Sequence, residues 1–294
     1  FELDRSVQAG IFYPRWFPLS GYGYGLPVFN FYPPLAYYVA ELFHVAGAGY
    51  IVSIKLLIAL GFFVAAVSMF LFARELLGQR AAFVAGVSYA YLPYLLSDAY
   101  VRGNYPEFLA MSLLPLALLA FRRVYDRPDK IYIVGAAVVF AAIICAHHLT
   151  AMLFAALLLG YIGFLFSLRR DGRALVRCGG AVLLALMLGV FYWLPALAEL
   201  NLVFVGPSSA ARFIVNRLSS PVDFFAPSLA YTYLPQAEAL THAPGFPQTI
   251  IALLAGIISL VWFFRKTEHV SRFTHHVLFF FLVVVLALAM TLTI

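Results

Sequence analysis

Read from its first residue, the chain is a series of long, unbroken apolar runs separated by short polar stretches. The apolar residues do not alternate with polar ones, so half-exposed strands do not fit. Runs near 20 residues match the length a helix needs to cross a bilayer. They fall at 50–72, 81–96, 107–121, 131–147, 150–167, 179–197, 250–264 and from 275 to the end. With no water at membrane depth, the backbone polar groups must be satisfied within each helix. The pattern therefore predicts an all-α, polytopic transmembrane helical bundle of about eight spans, forming one transmembrane domain over residues 1–294.

Two long stretches break the pattern, at 1–49 and 198–249. The first begins with a polar piece carrying Glu2, Asp4 and Arg5, then runs through 11–38, crowded with Phe, Tyr and Trp and broken by Gly and Pro. Those breakers exclude a regular helix over most of its length. From Pro34 to about His44 a short amphipathic helix is expected, lying along the membrane surface. The second stretch is broken at Gly206, Pro207, Pro221, Pro227, Pro235, Pro244 and Pro247. An aromatic, kinked segment beside a membrane suits a place where a sugar ring or lipid chain rests on flat apolar faces; an interfacial aromatic belt has the same composition. The rings singled out are Tyr22, Tyr24, Phe29, Phe31 and Tyr32.

Composition agrees with lipid as the solvent. Hydrophobic residues make up 64% and charged residues 11%, against roughly 25% charged in soluble domains. The formal charge of +6 does not report a nucleic-acid partner, because 13 of the 19 Lys and Arg cluster at four connections: 74–80, 122–130, 169–177 and 265–272. That asymmetry is a positive-inside signature. It places 1–49, 97–106, the turn near 148 and 198–249 on the outer face, where the chemistry is sought. Cys145 and Cys178 fall near opposite ends of two spans, so no disulfide is expected. No zinc-type spacing is present. The chain opens on Phe1 and stops within an apolar run, and so reads as a piece of a longer protein.

Four outer groups of residues could carry chemistry. Asp98, Arg102 and Glu107 share one short turn; Arg102 could hold a phosphate, with either carboxylate as base or metal ligand. A plain Asp98–Arg102 salt bridge and a Glu107 that complements a helix start compete with that reading. His148, beside His147, could act as acid, base or phosphate partner, or simply bond a carbonyl. Glu199 follows a proline-kinked span end and is aimed over an outer pocket, or else sits as a rim carboxylate in water. Lys55 either snorkels to the surface or meets a lipid phosphate. No phosphate-binding Gly-rich loop with a following Lys and no serine nucleophile motif is present.

Several motifs together carry a resemblance: Gly10-Ile-Phe-Tyr-Pro-Arg-Trp16, Gly21-Tyr-Gly-Tyr-Gly-Leu-Pro-Val-Phe-Asn-Phe-Tyr-Pro-Pro-Leu-Ala-Tyr-Tyr38, Tyr100-Val-Arg-Gly-Asn104 with Glu107, His147-His-Leu-Thr150 and Tyr192-Trp-Leu-Pro-Ala-Leu-Ala-Glu199. They resemble the bacterial multi-span membrane proteins labelled "6-pyruvoyl-tetrahydropterin synthase-related", which are similar to the YfhO-like branch of the GT-C membrane glycosyltransferases. Neither a soluble pterin enzyme nor a His-rich zinc site is visible in the chain. The resemblance implies a GT-C-like bundle in the bacterial cytoplasmic membrane. It implies transfer of a sugar from a polyprenyl-phosphate donor to a glycan or lipid acceptor at the extracytoplasmic face, with a divalent metal as an optional cofactor. On that reading Arg102 and Lys55 meet the donor phosphate; Asp98, Glu107, His148 and Glu199 line the acceptor side; the five aromatic residues stack on sugar or prenyl groups. Such enzymes carry a base in the first outer loop in an Asp-x-x-x-His-like pattern. Asp4 does not match it, so the expected base lies upstream of Phe1. The rival expectation is a non-enzymatic lipid or glycan flippase or an envelope assembly factor.

Overall fold

In a computed structural model of the chain, residues 1–203, 246–264 and 272–291 are described. The helices in chain order are α1 (Glu2–Gln8), α2 (Val28–Phe31), α3 (Leu35–Val45), α4 (Tyr50–Leu77), α5 (Gln79–Ala90), α6 (Pro93–Ser97), α7 (Tyr105–Asp126), α8 (Lys130–Ala146), α9 (His148–Arg169), α10 (Gly172–Leu188), α11 (Val190–Ala198), α12 (Phe246–Phe264) and α13 (Arg272–Thr291). Among the described residues there is no strand; Phe17 and Leu26 form an isolated antiparallel bridge.

The chain divides into two units, residues 1–72 with 104–203 and residues 73–103 with 204–294. In the first, α7 packs against α8, α9 and α10, and α8 against α10. Ala136, Ala137, Ala181 and Ala185 are fully buried, small residues that let helix backbones approach closely. Gly61 serves the same end: a Cβ there would meet Phe108 Cε1 at 2.2 Å. Ser68 Oγ donates to the Ser112 carbonyl at 2.8 Å, tying α4 to α7. In the second unit α12 packs against α13.

Helices stand at each place where the apolar pattern put a span, but the expected count of about eight needs correction. Among the described residues α4, α7 and α9 are long and apolar enough to cross a membrane. A fourth crossing results if α10 and α11, bent by 69°, are one broken span. For α8 and α5 the reason is length. α8 has 17 residues, about 25 Å of helix, against a hydrocarbon core of about 30 Å. α5 has 12 residues and ends where Leu92 precedes Pro93, a residue pair that leaves the helical region. At the bend between α10 and α11, the Trp193 Nε1–H donates to the Leu186 carbonyl at 2.8 Å, so the break satisfies one of its own acceptors.

The first long stretch, residues 1–49, is not an open loop. It holds α1, a one-turn helix at Gly21–Gly23, α2 and α3. α3 runs Leu35–Val45, where the sequence suggested a helix from Pro34 to about His44. α3 packs against α7 and α8, and α11 against α2. Of the second stretch, 198–249, residues 204–245 lie outside the described residues.

Candidate functional site

The aromatic segment folds around its own rings. Phe17 and Leu26 exchange backbone hydrogen bonds of 2.8 and 3.0 Å, closing the turn between them. The turn needs its glycines: Gly25 sits at φ +82°, and a Cβ there would come within 2.3 Å of Trp16 Nε1. Tyr22 takes φ 60°, a left-handed conformation unusual for a side-chain-bearing residue. Beneath the turn, Leu3, Phe17 and Phe29 form a buried cluster, with Tyr13 and Tyr38 against it. Tyr13 also donates its hydroxyl to the Phe29 carbonyl at 2.9 Å.

Beside this segment lies a cleft of about 600 Å³ whose walls include Glu2, Arg5, Ser6, Tyr13, Arg15 and Trp16. Glu2, Arg5 and Ser6 come from one face of α1, at the spacing that brings helix neighbours together. Glu2 accepts from Ser20 Oγ at 2.8 Å and from the Leu19 amide at 3.2 Å. Arg5 lies 5.7 Å over the Phe1 ring and, among the described residues, makes no salt bridge. Arg15 donates through Nη2 to Glu199 Oε1 at 2.5 Å and through Nε to Asn30 Oδ1 at 2.8 Å. Asn30 Nδ2 in turn donates to Glu199 Oε2 at 2.8 Å. The hydrogen bonds from Arg15 and then Asn30 hold the Glu199 carboxyl below its ordinary range, so it is a carboxylate at neutral pH. Its side chain keeps 36% exposure, so solvent and ligand can still reach it.

His148 joins the same locality from α9. Tyr192 donates its hydroxyl to the Phe31 carbonyl at 3.2 Å, and His148 Nδ1 lies 3.1 Å from that hydroxyl. A carbonyl cannot donate, so the tyrosine proton goes to Phe31 and His148 Nδ1–H donates to the tyrosine oxygen. The free Nε2 is then an acceptor. Glu199 and His148 therefore gather around adjacent residues, Asn30 and Phe31.

The other sequence candidates are placed differently. Phe29 is 1% exposed and packs on Phe17, Tyr37 and Tyr38, so its ring supports the fold and is not offered to a ligand, a correction to the stacking role. Tyr22 and Tyr24 are fully solvent-facing, and Tyr32 is partly exposed with its ring edge-on to Tyr37. Phe31 contributes its carbonyl. Asp98 and Arg102 belong to the second unit, in a π-helical turn Asp98–Arg102. Asp98 is fully buried and accepts from Arg102 at 2.5 Å, and Arg102 also donates to the Tyr94 hydroxyl at 3.0 Å. That is the salt-bridge alternative. Glu107 sits in the first turn of α7 after Pro106 and accepts from Asn104 Nδ2 at 2.6 Å, the helix-start alternative. Lys55 is exposed on the second turn of α4. Among the described residues no group of three or more His, Cys, Asp or Glu could hold a metal.

Arg5, Arg15, Asn30 and Tyr192 are the members of this site that sequence reasoning did not single out. For Arg15 a signal existed: a cation fixed between Pro14 and Trp16 in an otherwise uncharged aromatic segment.

A family model described as "6-pyruvoyl-tetrahydropterin synthase related domain; membrane protein" matches residues 29–294. No curated protein and no solved structure matches the chain.

Proposed function

We propose that the chain, which belongs to the 6-pyruvoyl-tetrahydropterin synthase related family of membrane proteins, is a GT-C-like glycosyltransferase of the bacterial cytoplasmic membrane. It moves a sugar from a polyprenyl-phosphate donor to a glycan or lipid acceptor at the extracytoplasmic face. The observation that carries this reading is Glu199, an ionised carboxylate, 36% exposed, gripped by Arg15, which itself lines the cleft together with Arg5, an arginine free of salt bridges among the described residues. In this reading Glu199 takes the proton of an acceptor hydroxyl. The acceptor oxygen forms its bond to the anomeric carbon as the bond from that carbon to the phosphate oxygen breaks. The leaving polyprenyl phosphate keeps the electron pair, and Arg5 meets its charge. Tyr22, Tyr24 and Trp16 offer rings for the sugar or the prenyl chain. The phosphate role thus moves to Arg5 from Arg102 and Lys55.

The test is transfer from radiolabelled polyprenyl-phosphate sugar in membranes containing the protein. Glu199→Gln should lower turnover about 10²- to 10⁴-fold with donor affinity kept. Arg5→Ala should weaken donor binding about tenfold or more. No transfer to any acceptor, together with donor movement between leaflets, would establish the flippase in its place.

A further inference from the structure

α7 and α9, both long and apolar enough to cross a membrane, meet at their C-terminal ends. Arg169 pairs with Asp126, and the Asp171 amide donates to the Tyr125 hydroxyl at 3.4 Å. Arg177, from the second turn of α10, donates to the Val124 and Tyr125 carbonyls at 3.2 and 3.1 Å. Those are acceptors that the last turn of α7 leaves open. The connections 122–130 and 169–177 therefore form one surface of the first unit.

That surface carries eight Lys and Arg against three Asp. Asp126 is held between Arg122 and Arg169. Asp171 caps α10 through the Arg173 and Ala174 amides and lies 3.6 Å from Arg177. Two of the three carboxylates are thus engaged within the protein. Arg127, Lys130, Arg170 and Arg173 are exposed and, among the described residues, make no salt bridge. Asp129, the third carboxylate, stands between Arg127 and Lys130 in sequence and leaves these four in excess. Two of the four are held in place by rings. The Arg127 guanidinium lies 5.4 Å over Tyr132 and donates to its hydroxyl at 2.6 Å. Arg170 lies 5.6 Å over Phe166. It takes φ 53° directly after α9, a place that glycine fills with less strain. A cation fixed in advance loses less freedom on binding. Beside these charges Ile131 of α8 and Val176 of α10 are largely exposed.

We infer that this surface binds anionic phospholipid, with Arg127, Lys130, Arg170 and Arg173 on the phosphate headgroups and the acyl chains along exposed apolar residues such as Ile131 and Val176. Charge complementarity selects an anion. The position of the cations selects a lipid: they stand at the ends of membrane-crossing helices, where the headgroups of a leaflet lie. Lys130 adjoins Ile131, and Arg173 comes three residues before Val176 on the same helix, so charge and apolar surface neighbour each other as head and tail do in the ligand. A free phosphate or a nucleic acid would leave that apolar surface in water. The inference asks nothing of the cleft and stands whether or not the chain transfers a sugar.

The test places the whole chain in nanodiscs of phosphatidylcholine and phosphatidylglycerol in equal parts, releases it into mild detergent and reads the retained lipid by native mass spectrometry. The wild type should keep phosphatidylglycerol over phosphatidylcholine by about tenfold or more. Arg127→Gln and Arg170→Gln together should bring the two lipids close to equal retention. Equal retention by the wild type would overturn the proposal, and so would a double variant that keeps the wild-type preference. Both side chains are exposed, so the fold should survive their replacement. If the double variant does not fold, the wild type in rising salt serves. Its preference should fall towards equality between about 0.05 M and about 0.5 M sodium chloride, because exposed charges are screened; a preference that ignores salt sinks the idea. Excess glycerol phosphate or a DNA duplex, added in turn, should leave the retained phosphatidylglycerol in place. Displacement by either would reassign the surface to a free phosphate or to nucleic acid and overturn the lipid.

Discussion

At the scale of single residues, burial separates rings that look alike in sequence. Phe29→Ala should cost about 3–5 kcal/mol, read as a lowered midpoint of thermal unfolding in detergent, because Phe29 fills the cluster under the turn. Tyr22→Ala should leave stability within about 0.5 kcal/mol, because that ring faces only solvent. The aromatic richness of 11–38 was legible in the chain; which ring would be core and which would be free was not. That choice depends on Leu3 and Tyr38 arriving from either side of the segment. The Arg15–Glu199 pair was hidden for the same reason. The two residues are 184 positions apart, and no local periodicity encodes a contact over that distance. His148 was legible because two histidines ending an apolar run are rare at a membrane face. Its partner Tyr192 was not.

At the scale of elements, the apolar runs located the helices well, since a helix must cover its own backbone wherever lipid or protein excludes water. Their ends were less legible. α9 begins one residue after α8 ends, with His147 between them accepting from the Thr150 amide at 3.3 Å as a cap. A turn that short carries no Gly or Pro to announce it. The closed turn between Phe17 and Leu26 gives the sharpest element-level prediction. Gly25→Ala meets both a left-handed φ and the face of Trp16. It should cost about 1–3 kcal/mol from overpacking, with backbone strain in addition. Trp16 fluorescence should shift as the ring is pushed off its seat. Gly10→Ala, also at positive φ but in open space, isolates the backbone part of that cost.

At the scale of the whole molecule, the hydrogen bonds of the cleft constrain how the chain threads the bilayer. Tyr24→Cys and Arg170→Cys should react with an impermeant thiol reagent from opposite sides of the membrane, since α4, α7 and α9 lie between them; reaction from one side would remove the outer-face assignment of the cleft. A further consequence lies in the contact of Arg15 with Glu199. Two residues that touch share a compartment, so the number of crossings between them must be even. With α4, α7 and α9 counted, the bent α10–α11 pair has to make the fourth. The chain of bonds from Phe31 through Tyr192 to His148 applies the same parity to residues 31–148. There α4 and α7 already make two, so α5 and α8, each too short by length, must both pass through or both stay on one side. A thiol placed at Arg127 decides between these: reaction opposite Tyr24 means both pass, and reaction beside Tyr24 means neither does.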